Sequence, residues 1–338
     1  MISLEDLFSP AMIRTTIWMM INFVSCVWII WSTKICFQLG FSYATTLTAL
    51  HFLLTYIGLE ISACLNCFER KHVPILGVVP LSIAFCGFIV FNNLSLQYNT
   101  IGIYQVTKVL TTPVIVFINM VFYSKWLSAS ETIALILVCV GVVVATEANL
   151  DLNFAGVVTG LLGVMSSSIY QIWVESKQHA FKCSPAQLLY YQAPISFLLL
   201  LPVIALTEPV GEILAFKFSL ESVSAILGSA LLAFLVNLST YAVIGATSPL
   251  TYNMIGHSKL VIIILSSYLF FGERQSIIGL AGVASAVLGI IAYAQIRMTA
   301  QIEAKKLQED EELHTITEKA PLIRLSSDGD ETASTVDV

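Results

Sequence analysis

Charge is what this sequence has least of. Only 11% of its 338 residues are Asp, Glu, Lys or Arg, while 57% are hydrophobic. A soluble chain carries roughly 25% charged and 45–50% apolar residues. Too few charges remain to cover a soluble surface, which excludes an ordinary soluble enzyme and a disordered chain alike. Also missing are a Walker loop, a clustered set of metal ligands and a pair of carboxylates inside an apolar run. Catalysis, a resident metal, a cofactor and an ATP-driven cycle are therefore not expected. No basic patch stands outside the apolar runs, so nucleic acid is not an expected partner. No cleavage site precedes the first apolar run, which is expected to act as its own insertion signal. The seven cysteines are scattered and do not form a disulfide framework. Cys64 and Cys67 make a C-x-x-C near His72. No second ligand pair follows it, and the plain reading is two small residues at the end of a span.

What is present is apolar length. A membrane span needs about 20 mostly apolar residues, and ten runs of that kind follow one another. They cover residues 14–34, 42–62, 74–96, 101–121, 131–149, 154–175, 186–207, 222–244, 249–271 and 277–297. Backbone groups in lipid must be satisfied within the segment, so continuous runs read as helices and not as barrel strands. The expected fold is an all-α membrane protein of ten transmembrane helices. Residues 1–297 carry twelve acidic and twelve basic side chains; residues 298–338 carry ten acidic and four basic. That tail is read as acidic, disordered and solvated. With the N-terminus (1–13) in the cytoplasm, Lys and Arg near the span ends favour the cytoplasmic side nine to three, which puts both termini there.

Ten divides into five plus five, and five is odd, so two related halves (14–149 and 154–297) must lie inverted. Lys108 aligns with Lys259 and Thr100 with Thr251, both at an offset of 151. A three-residue deletion then aligns Gly141 with Gly289, and Asn-Leu-Ser precedes each segment at Asn93 and Asn237. Inverted five-helix repeats place a binding site at the midplane between them. Lys108 and Lys259 enter the membrane from opposite faces, seven and nine residues into their spans, so both are expected near its middle. A lysine there costs roughly 2.5–3.5 kcal/mol. No acid is expected at that depth, since Glu60, Glu147 and Glu175 fall near span ends. A water-filled cavity that receives an anion accounts for two such cations. Bonds to backbone carbonyls, or a deprotonated amine, are the alternatives.

Tyr104 shares a helix face with Lys108, and Tyr252 with Lys259. Each reads as a stacking or phosphate-bonding group, or as packing. Asn92, Asn93 and Asn237 read as amide partners for a nucleobase or as glue between helices. His257 points to a different face from Lys259 and reads as packing.

The segments FNNLSLQYNTIGIYQVTKVLTTP (91–113) and NLSTYAVIGATSPLTYNMIGHSKL (237–260) resemble the nucleotide-sugar and triose-phosphate transporter branch of the drug/metabolite transporter superfamily. Within it they are most similar to solute carrier family 35 and the plant UDP-xylose transporter group. The resemblance implies a ten-helix inverted-repeat fold and exchange of a nucleotide sugar for a nucleoside monophosphate, with Lys108 and Lys259 in the site. Phe91-Asn92-Asn93 is similar to the Phe-Tyr-Asn-Asn motif of GDP-mannose carriers with one residue missing, and Gly256-His257-Ser258-Lys259 departs from their Gly-Ala-Leu-Asn-Lys. A UDP-sugar is the substrate this implies. A sugar-phosphate/phosphate antiporter and a non-transporting membrane scaffold of the same fold remain as alternatives. The resemblance also implies a Golgi membrane and leaves a homodimer open, while Leu322 and Ile323 fit an acidic dileucine pattern for endolysosomal sorting.

Overall fold

The computed structural model describes residues 10–98, 107–145, 154–259 and 277–327. Among them the chain is all helix. The elements are α1 (Pro10–Gln38), α2 (Ala44–Cys64), α3 (Ile75–Tyr98), α4 (Thr111–Tyr123), α5 (Ala129–Ala145), α6 (Phe154–Phe181), α7 (Pro185–Thr207), α8 (Val210–Ala215), α9 (Leu220–Ala246), α10 (249–259) and α11 (Ile277–Ser327). Seven of these, α1–α3, α6, α7, α9 and α11, are long and apolar enough to cross a membrane. Thr107–Tyr123 and Ala129–Val144 are shorter apolar helices. The chain is a multi-pass membrane protein. The expected spans over 101–121, 131–149 and 249–271 each lie partly outside the described residues.

Local chemistry sets the ends. Ser184 starts α7: its hydroxyl accepts from Gln187 N–H, Gln187 Oε1 accepts from Ser184 N–H, and Pro185 follows at the first helical position. That satisfies two donors a helix start leaves open and needs none from the proline. Ser219 and Ser222 cap α9 in the same way. The start of α2 is capped from elsewhere in the chain. Glu208, just past α7, accepts from Thr45 N–H at 2.6 Å, Thr46 N–H at 3.0 Å and Thr46 Oγ1 at 2.6 Å.

The helices pack in a crossed pattern. α5 lies along α11 and α2 along α7; α3 packs on α6 as α9 packs on α1, and α9 touches α2 as α3 touches α7. The α5–α11 contact is backbone-close. A Cβ at Gly141 would sit 2.5 Å from Ala286 N and 2.7 Å from Gly282 O; one at Gly289 would sit 2.7 Å from Val138 Cγ2 and 2.8 Å from Ala134 O. Small residues permit this approach, which lipid does not otherwise drive.

One end of the bundle, where α1 begins, is basic and tied by polar contacts. Glu60 accepts from Tyr56, Tyr190 and Arg70, and its carboxylate raises the Arg70 guanidinium further above its usual pKa. Lys125 pairs with Glu175 and Arg297 with Glu131, each at 3.2 Å. The opposite end carries Glu208 and an edge-on aromatic cluster of Phe41, Phe216 and Phe218.

α11 is described from Ile277 to Ser327, so its backbone extends into the segment from 298 that reads as an acidic tail and includes Leu322 and Ile323. The segment 298–327 contains the helix formers Glu, Gln, Lys and Leu together with Pro321, which disfavours a helix interior.

Candidate substrate-binding site

The polar centre of the bundle is built around Lys259, near the described end of α10. Its Nζ donates to Asn22 Oδ1 at 2.8 Å. Asn22 lies on α1 and is fully buried. Its amide nitrogen donates to Ser239 Oγ at 3.0 Å and Thr240 Oγ1 at 3.1 Å, both on α9. A lysine can only donate, so the amide must turn its oxygen to Lys259 and its nitrogen to the hydroxyls. Three helices thus meet on one side chain. Among the described residues Lys259 has no carboxylate partner; its charge is met by a neutral dipole. Tyr252, on the same helix, lies beside Thr240.

Lys108 is exposed, in the short helical stretch 107–109 that leads into α4. One turn later, buried Thr112 Oγ1 meets His257 Nε2 at 3.0 Å. His257, read as packing, therefore joins the helix of Lys259 to that of Lys108. Lys108 is four residues from this crossing and Lys259 two, each towards the opposite end. At 1.5 Å per residue their depths differ by only about 3 Å.

Above this centre, towards the opposite end, lies a cavity of about 550 Å³ between α1, α2, α3 and α9. It brings together Asn92 and Asn93 from α3 and Asn237 from α9, with Thr33, Thr48 and His51 among its polar groups. Phe52, Phe85 and Phe88 supply aromatic wall, Phe52 and Phe85 edge-on at 4.7 Å. Apolar walls with a few convergent polar groups and this volume suit a small-molecule ligand. Among the described residues its lining has no charged side chain. Asn92 also donates to Phe88 O at 2.7 Å, which fixes its amide against its own helix. A smaller cavity of about 370 Å³ adjoins at Ala44 and Asn93 and is bounded by Thr45 and Glu208. Asn237 stands two residues before Ser239 on α9, so the large cavity ends within about one helical turn of the Asn22–Lys259 pair.

The structure thus groups Asn92, Asn93 and Asn237 around one cavity and puts Lys259 and Tyr252 beneath it. Lys108 is not in the described lining of either cavity, and Tyr104 lies outside the described residues. Asn22, His51, Ser239 and Thr240 were not singled out from the sequence. Cys64 and Cys67 lie exposed at the end of α2, remote from the site, and the described residues hold no group of three metal-ligating side chains.

The model of the Triose-phosphate Transporter family matches residues 11–294. UDP-xylose transporter 2 of Arabidopsis thaliana is 32% identical over 84% of this chain and 82% of its own. UDP-xylose transporter 1 of the same plant is 35% identical over 76% of each. Its UDP-rhamnose/UDP-galactose transporter 3 is 32% identical over 94% and 92%. A protein of known crystal structure superposes with a TM-score of 0.67 at 12% identity, covering 85% of this chain and 98% of its own, which establishes a shared fold.

Proposed function

The chain belongs to the Triose-phosphate Transporter family, and from that premise we propose that it is an antiporter of nucleotide sugars, UDP-sugars foremost. It returns a nucleoside monophosphate by alternating access and catalyses no reaction. The observation that carries this reading is Lys259, a cation inside the bundle held by the neutral amide of Asn22, directly below an uncharged polar cavity. A ligand with an anionic centre and a neutral polar end matches that order. The names of the relatives support the uridine nucleotide.

In this mechanism the diphosphate lies between Lys108 and Lys259, and its sugar or base occupies the cavity. Lys259, met by a neutral amide and by no carboxylate among the described residues, makes reorientation of the empty carrier costly; a bound nucleotide relieves the cost, so crossing is coupled to exchange. The proposal includes ten spans in two inverted halves. The reciprocal packing of α3 on α6 and α9 on α1 supports it. So do Gly141 and Gly289, each of which abuts the other's helix at residues related by the same offset of 148. The Golgi membrane and cytoplasmic termini belong to the same reading.

The test is reconstitution into liposomes preloaded with UMP, GMP, CMP, AMP or phosphate, followed by uptake of labelled nucleotide sugars and phosphorylated trioses. UDP-sugar uptake that requires internal UMP is expected. Lys259→Ala and Lys108→Ala should each abolish it at unchanged membrane content. Uptake that requires internal phosphate would move the chain to sugar-phosphate exchange, and wild-type rates in either lysine variant would remove the mechanism.

A further inference from the structure

We propose that His51 is a ligand-binding residue whose Nδ1 presents a fixed hydrogen-bond acceptor to the cavity and takes an N–H or O–H donor from the uncharged part of the ligand. This rests on the transport reading above and assigns a residue and a polarity to its neutral subsite.

The polarity follows from counting protons. His51 stands on α2, nearly buried, in the wall of the 550 Å³ cavity that holds Asn92, Asn93 and Asn237. Its Nε2 lies 2.9 Å from Ser229 Oγ on α9. A serine hydroxyl has one proton, and that of Ser229 is assigned to Ile226 O, 2.8 Å away on its own helix, which leaves Ser229 Oγ to accept from the Cys36 thiol at 3.8 Å as well as from His51. Towards His51, Ser229 can therefore only accept. Nε2 must carry the ring proton, and in the neutral ring Nδ1 is left as a bare acceptor. Among the described residues Nδ1 has no hydrogen-bond partner.

Thr48, whose hydroxyl donates to Ala44 O at 2.9 Å, presents an acceptor by the same count, whereas the asparagine amides carry both donor and acceptor atoms and accommodate either polarity. A histidine pinned by Ser229 accepts and does not donate. A ligand that presents a donor there is favoured, and one that presents only an acceptor leaves two lone pairs facing each other. A missing partner at a buried polar group discriminates more sharply than a lost methylene. The donor is a sugar hydroxyl or the imide N–H of a uracil. It is not a phosphate, because among the described residues the cavity lining carries no cation and Lys259 lies beneath it.

The experiment measures affinity of the purified full-length protein for UMP and for UDP-xylose and UDP-galactose, with His51→Phe, His51→Gln and Ser229→Ala beside wild type. His51→Phe keeps the ring and removes the acceptor. Loss of one hydrogen bond predicts roughly tenfold weaker binding. His51→Gln offers an amide oxygen and should recover most of it, which a purely packing role would not reproduce. Weakening confined to the UDP-sugars places the donor on the sugar; equal weakening for UMP places it on the base. Should His51→Phe not fold, Ser229→Ala carries the test. It removes only the acceptor that holds the proton on Nε2, so binding should weaken severalfold. Unchanged affinities in a folded His51→Phe, or in Ser229→Ala where the former does not fold, overturn the assignment and leave the transport reading standing. Absence of nucleotide binding by wild type overturns both.

Discussion

Asn22 is where a single atom pair decides the character of the site. Its oxygen faces Lys259, and its nitrogen is held by Ser239 and Thr240. Changing Asn22→Asp alters the shape very little and replaces a neutral partner with a counter-ion. The lysine would then be neutralised from within, and an incoming phosphate would meet a carboxylate as well as the cation. We expect at least a tenfold loss of UMP affinity and of exchange at unchanged expression, because a like charge a few ångströms away is worth a kcal/mol or more even in a partly screened site, on the order of a factor of ten. Wild-type exchange in Asn22→Asp would reduce the amide to a tie between helices. The lysine itself was legible in the sequence, because a charge inside an apolar run stands out. Asn92, Asn93 and Asn237 are neutral amides within such runs, and it is their shared place at the large cavity that the structure adds. Asn22 was not legible: it is one polar residue in one span, and its partners lie more than 200 positions away. His51 is the same case, since its usable nitrogen is dictated by Ser229, 178 positions on.

At the scale of the element, the α5–α11 interface shows what hydrophobic run length conveys and what it misses. All ten apolar runs contain described helix, since a stretch of that length in lipid has few alternatives. Their partners are a matter of small residues. Gly141 and Gly289 admit the other helix's backbone to a distance no side chain would allow. Gly141→Ala and Gly289→Ala should each destabilise the fold by about 1–3 kcal/mol, as overpacking does, read as a lower midpoint of thermal unfolding in detergent. The double variant should fall short of the sum. Both glycines lie in one interface, and a helix pair already pushed apart by the first methyl meets the second at lower cost. Strict additivity would mean that the two contacts give independently.

On the whole molecule, besides the central contacts of Asn22, His51 and His257, carboxylate ties lie at both ends of the bundle. At the basic end, Tyr190 to Glu60, Lys125 to Glu175 and Arg297 to Glu131 all join the first proposed half to the second. At the opposite end Glu208 joins them through the start of α2. Both sets are formed together in this structure; if the halves rock about the site, each set opposes opening at its own end, and loosening one end favours opening there and closure at the other. These ties are partly exposed and screened by solvent, so Tyr190→Phe with Lys125→Met should shift the balance severalfold. Val90 lines the smaller cavity beside Glu208 and serves as a reporter once the exposed Cys64 and Cys67 are changed to Ser. Maleimide labelling of Val90→Cys should slow when the basic-end pair is removed and quicken when Glu208→Gln loosens the opposite end. The opposite signs are the content of the prediction. Faster labelling in both would mean that each change simply loosens the bundle, and equal rates in all three would mean that the ends do not communicate through the site.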